Sequence, residues 1–128
     1  MEIHIILAVV EGCAPSRLDD PLELERLLGR MVEAAEFTLF DIRVHRFHPH
    51  GVTAAAIVGE SHIALHTWPE EGSLFVDIAS CTTMEATERA MAVVEEAFPR
   101  VRVSRLVTRF ASGTDFQDGI HEVKGARE

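Results

Sequence analysis

The chain has 128 residues, 47% of them hydrophobic and 26% charged, a make-up that fits one soluble globular domain rather than a disordered or fibrous chain and excludes a multidomain assembly. Lys plus Arg number 12 against 21 Asp plus Glu, a net charge of −9 with no basic cluster, so nucleic acid is excluded as a natural partner. The two cysteines, Cys13 and Cys81, stand far apart without CxxC spacing, which points to a reducing, cytoplasmic setting rather than a disulfide scaffold.

The first strand is predicted over about Ile3–Val10. Its apolar run has no basic segment before it and is far too short to span a bilayer. A turn with Gly12 and Pro15 ends it. Asp20-Pro21-Leu22-Glu23 then starts a helix: Asp20 caps, Pro21 presets φ, and Glu23 has capping-box spacing. Leu24, Leu27, Leu28, Met31 and Ala35 follow as one apolar stripe.

From Phe37 the period becomes two, placing Thr38, Phe40, Ile42 and Val44 on one face and Asp41, Arg43 and His45 on the other. Pro49-His50-Gly51 breaks this strand. Thr53–Val58, Ile63–Trp68 and Ser73–Ser80 read as further strands, with Leu74, Val76 and Ile78 on one face of the last. Thr82-Thr83-Met84-Glu85 offers a second capping box before a helix with Ala90, Met91, Val94, Ala97 and Phe98 at helical spacing. Pro99 stops it. A last strand, Val101–Phe110, precedes a polar tail expected to fray over 113–128.

Strand, helix, several strands, helix, strand, abbreviated β-α-β-β-β-α-β, implies an α+β two-layer sandwich over residues 1–112: two helices on one face of a mainly antiparallel sheet. The other face is left for solvent or a second subunit.

Chemically able side chains crowd between Glu60 and Cys81: Ser61, His62, His66, Glu70 and Asp77 lie between them. A zinc or iron site could draw on His48, His50, His62, His66 and Glu70, but three segments would have to converge. Ser61 lacks the G-x-S-x-G elbow of a serine hydrolase. Cys81 with His66 could form a nucleophile and base, since Cys81 precedes a helix N-terminus whose dipole favours a thiolate.

Gly59-Glu60-Ser61-His62-Ile63-Ala64-Leu65-His66-Thr67-Trp68-Pro69-Glu70-Glu71-Gly72, followed by Asp77 and Cys81, closely resembles the self-processing segment of the prokaryotic S-adenosylmethionine decarboxylase proenzymes. His45-Arg46-Phe47-His48-Pro49-His50-Gly51-Val52 resembles the strand and turn before it. The resemblance implies a cut between Glu60 and Ser61, giving a β chain of residues 1–60 and an α chain of 61–128 that begins with a pyruvoyl group made from Ser61. This ketone would hold the substrate amine as a Schiff base and draw off electrons as CO2 leaves. By the same resemblance His66 assists processing, Cys81 is the general acid, Phe47 stacks on adenine, Glu70 holds ribose hydroxyls, and Thr53 supports processing where a serine is common.

No metal is implied, and a homodimer of cleaved protomers is. One departure is Ala8-Val9-Val10, where relatives carry an acidic residue beside an aromatic one. The expected activity is thus decarboxylation of S-adenosylmethionine for polyamine biosynthesis, with ornithine or arginine as the alternative substrates and a non-catalytic His-rich metal-binding domain as the rival of another class. Period-two geometry poses one difficulty: Ser61 and His66, five apart, belong to opposite faces unless a kink at Gly59-Glu60, or the freedom of the cut end, brings Ser61 round.

Overall fold

The computed structural model describes residues 1–112 and 120–124. Alternating apolar segments become strands β1 (Glu2–Glu11), β2 (Leu39–Arg46), β3 (Val52–Val58), β4 (Ser61–Trp68), β5 (Ser73–Ser80), β6 (Arg102–Ala111) and β7 (Ile120–Lys124). They form one sheet in the order β2-β3-β4-β5-β1-β6-β7, every pair antiparallel. Helices α2 (Pro21–Ala35) and α3 (Met84–Ala97) cover one face, and a short α1 (Pro15–Leu18) stands where a turn was expected. The α+β two-layer reading therefore holds. Four strands separate the long helices, one more than the abbreviated order carries, matching the four segments read individually.

The core lies between sheet and helices. Ile6, Ala8 and Val10 of β1, Ala54 and Ala56 of β3, Ile63 and Leu65 of β4, and Leu74, Val76 and Ile78 of β5 are all buried. They meet Leu24, Leu27, Leu28 and Met31 of α2 and Ala90, Met91 and Val94 of α3, the stripes the helical spacing predicts. Strand parity puts every second residue on the opposite face, where α2 and α3 do not reach.

Several expectations are corrected. Phe40 is 69% exposed, because β2 is the edge strand and only Ile42 and Val44 come under partial cover. Asp20 caps α2 by accepting from the N–H groups of Leu22 and Glu23, but Glu23 does not reach back to it. Its carboxylate takes the Arg17 Nε–H at 2.5 Å instead. The cap of α3 is Thr83, which accepts from Ala86 N–H at 3.0 Å, one residue later than the Thr82–Glu85 spacing implies. Within the segment expected to fray, Ile120–Lys124 pair with β6; residues 113–119 and 125–128 lie outside the described residues.

A buried hydroxyl fixes the far end of β4. Thr67 Oγ1 accepts from Val52 N–H at 2.8 Å and donates to the Leu18 carbonyl at 2.8 Å, joining β3, β4 and α1. Thr67→Val keeps the volume and orphans both backbone groups, so the variant is expected to lose roughly 2–4 kcal/mol in a denaturant titration.

Candidate active site

The β3–β4 hairpin has two loop residues, Gly59 and Glu60, between the paired Val58 and Ser61. Glu60 sits in the left-handed region at φ +57, a conformation that is costly for a residue with a Cβ. The peptide it shares with Ser61 therefore lies at a strained, exposed tip.

Ser61 opens β4 on the same parity as the buried Ile63, Leu65 and Thr67, and no kink turns it to the other face. The chain leaving β5 runs past it on the way to α3. Cys81 N–H donates to Ser61 Oγ at 2.9 Å, and the Cys81 thiol donates to the Gly59 carbonyl at 3.6 Å. A hydroxyl, a thiol and the Glu60–Ser61 peptide thus share one tight corner. Next to it, Ser80 Oγ bonds to Thr82 Oγ1 at 2.8 Å and accepts from Thr82 N–H at 3.1 Å, which holds the turn carrying Cys81.

His66 is not at that corner. It points to the face away from the helices, where it shares a 2.9 Å hydrogen bond between its Nδ1 and Thr53 Oγ1 directly across the β3–β4 pair. Its ring stacks on Phe75 of β5, with centroids 5.8 Å apart. Five residues of strand put His66 roughly 16 Å from Ser61 along β4. Within this chain Cys81 and His66 therefore do not form a nucleophile and base pair.

Phe47, His50 and Glu70 gather at the end of β4 opposite Ser61. Phe47 is 48% exposed, with the His45 ring edge-on at 4.6 Å. Glu70 stands on a single 3-10 turn, Pro69–Glu71, and His50 Nε2 lies 3.2 Å from its Oε1. Beneath them Asp19 accepts from Gly51 N–H and from Arg46, and these bonds hold its carboxyl below the usual carboxylate range. Sequence spacing alone gave no sign of the His50–Glu70 contact, which needs the loop after β2 to fold over the turn after β4.

The histidines proposed as metal ligands face different partners: His66 bonds Thr53, His62 lies 3.2 Å from Asp77, and His50 meets Glu70. Among the described residues no three His, Cys, Asp or Glu side chains converge as a metal would require. The rival metal-binding reading thus lacks its geometry. Both cysteines are free, and burial pushes the Cys13 thiol up to about 11 against a smaller opposing effect of Arg17, leaving Cys13 inert at the opposite end of the sheet from the hairpin tip.

Residues 4–109 match the family model described as S-adenosylmethionine decarboxylase. The chain belongs to this family. It is 40% identical over 93 residues to the S-adenosylmethionine decarboxylase proenzyme of Parasynechococcus marenigrum, an alignment covering 73% of this chain and 72% of that one. To the proenzyme of the same name from Hydrogenobaculum it is 33% identical over 105 residues, covering 82% and 78%. The proenzyme from Methanococcus maripaludis strain S2 is 44% identical over 78 residues; the match spans 61% of this chain and 63% of that one, a little under two thirds of each.

The fold agrees. The crystal structure of the adenosylmethionine decarboxylase from Aquifex aeolicus superposes with a TM-score of 0.79 at 28% identity, over 91% of this chain and 98% of that one.

Proposed function

We propose that the chain is a self-processing, pyruvoyl-dependent decarboxylase acting on S-adenosylmethionine, cut between Glu60 and Ser61. The observation that carries this is the contact of Ser61 Oγ with the Cys81 N–H at the strained hairpin tip. Attack of Ser61 Oγ on the Glu60 carbonyl carbon forms a C–O bond and breaks the C–N bond, leaving an ester and a free Ser61 amine. Loss of the Ser61 Cα proton expels the Glu60 carboxylate and leaves dehydroalanine. Water then converts its imine tautomer to a ketone, releasing ammonia.

The residues present fit such a group. β4 is held by ladders to both β3 and β5, so position 61 stays beside Cys81 after the cut. When formed, the pyruvoyl ketone supplies the electron sink for decarboxylation. Cys81 delivers the proton that the former α-carbon needs, a role supported by its N–H on Ser61 Oγ and its thiol on the adjoining Gly59 carbonyl.

Phe47 and Glu70 receive the nucleoside, and Thr53 with His66 assists processing. In one protomer these groups stand far from Ser61, His66 by roughly 16 Å and the end of β4 by roughly 23 Å. The helix-free sheet face carries Ile3, Ile5, Leu7, Val9, Phe75 and Leu106, an apolar surface that a second copy would cover. A face-to-face homodimer with strands running in opposite senses would set the end of one sheet that carries His66 and Glu70 over the end of the other that carries Ser61, although Ser61 itself starts on the helix side of β4. The setting is cytoplasmic, as two unpaired cysteines suggest. No helix among the described residues is long and apolar enough to cross a membrane.

Intact-mass analysis of aged protein is expected to find fragments 1–60 and 61–128, and CO2 release is expected with S-adenosylmethionine but not with ornithine or arginine. A chain that stays whole removes the decarboxylase reading. Turnover of ornithine or arginine alone moves the substrate to that alternative.

A further inference from the structure

We propose that His50 is a positioning residue for the substrate's ribose: it fixes the Glu70 carboxylate and ties it to the loop that carries Phe47. The inference rests on the reading of Phe47 and Glu70 given above and adds a residue to which that reading assigns no role. His50 Nε2 stands 3.2 Å from Glu70 Oε1, linking the loop after β2 to the turn after β4. The loop is itself anchored. Phe47 N–H donates to the Gly51 carbonyl at 2.7 Å, and Gly51 N–H donates to Asp19 Oδ1 at 2.9 Å. Gly51 holds φ +108, and a Cβ there would lie 3.3 Å from the Thr67 carbonyl oxygen, so the loop sits directly on β4.

Anchored on both sides, His50 has a fixed origin from which to hold Glu70, whereas Glu70 stands on a single turn with its side chain 47% exposed. A carboxylate that accepts from two vicinal hydroxyls must adopt one orientation. Left to rotate, it would lose that freedom at every binding event; paired with the imidazole, it has lost it beforehand. The pair uses Oε1 and leaves Oε2 for the diol. The pair borders an open surface depression lined by Asp19, His50, Pro69 and Glu70 among others, so it is accessible from solvent.

The test compares processed parent protein with His50→Ala and His50→Gln on S-adenosylmethionine, and measures inhibition by 5′-methylthioadenosine and by its 2′,3′-dideoxy counterpart. His50→Ala is expected to raise KM about tenfold with kcat changed by less than about twofold, the pattern of lost uniform binding. His50→Gln, whose amide has an N–H to offer Glu70 at the same place, is expected to stay within about twofold of the parent in KM. The alanine variant should weaken inhibition by the diol-bearing nucleoside about tenfold and leave the dideoxy compound unaffected, since that compound has no hydroxyls for Glu70 to hold. Equal losses on both nucleosides, or an unchanged KM, overturn the role of His50 and leave the site reading standing. A cleaved parent that does not turn over S-adenosylmethionine overturns the site reading, and the role of His50 with it.

Discussion

Protein carrying Ser61→Ala is expected to remain one 128-residue chain and to release CO2 from S-adenosylmethionine at least about 10^3-fold more slowly than the parent, because the variant lacks both the nucleophile and the precursor of the ketone. The fold should survive. Ser61 Oγ accepts one hydrogen bond, from Cys81 N–H, at a partly exposed corner, so its loss should cost about 1 kcal/mol and leave a cooperative thermal transition. The check is an intact-mass spectrum after long incubation beside a melting curve. Two fragments from this variant would mean that cleavage does not pass through the Ser61 hydroxyl. A single chain that has also lost its melting transition would point to a structural role for Ser61, in conflict with the small cost argued here.

Much of this molecule is legible in its sequence, and the reasons are local. Leu24, Leu27, Leu28 and Met31 recur at a spacing that only a helix turns into one face, and α2 buries all four. Leu74, Val76 and Ile78 alternate, and β5 buries all three. Phe40 shares its alternation with Ile42 and Val44 yet is exposed, because periodicity does not say which strand will end at a sheet edge. Thr82 and Thr83 both qualify as caps by composition, and the choice between them depends on how the turn around Ser80 and Cys81 closes.

The candidate site divides in the same way. Ser61, Cys81, Thr53 and His66 are marked by motif and spacing, and the Thr53–His66 bond is a direct cross-strand pair. Where these groups stand relative to one another was not legible, since a motif reads as one site although a straight strand separates its members. Period-two geometry raised the conflict between Ser61 and His66. The straight course of β4 leaves it unresolved within one chain.

That conflict yields the sharper experiment. Chains bearing Ser61→Ala and chains bearing His66→Ala, each expected to stay essentially uncut alone, are expected to cut when they share dimers. On the shared-site reading, the His66→Ala chain of a mixed dimer keeps its Ser61 and draws on the partner's His66, so one site of the two is complete. With random pairing about half of the His66→Ala chains enter such dimers, which sets the ceiling on cleavage. Removing a group that assists proton transfer typically costs about 10^2 to 10^4-fold, so His66→Ala homodimers should give little background over the same interval. The fragments identify the route: only a C-terminal piece carrying alanine at position 66 should appear, because the Ser61→Ala chain has no hydroxyl with which to cut. Mixed dimers that stay whole would show that His66 acts on its own chain's Ser61, or that the two sheets do not pair, and either result ends the shared-site reading.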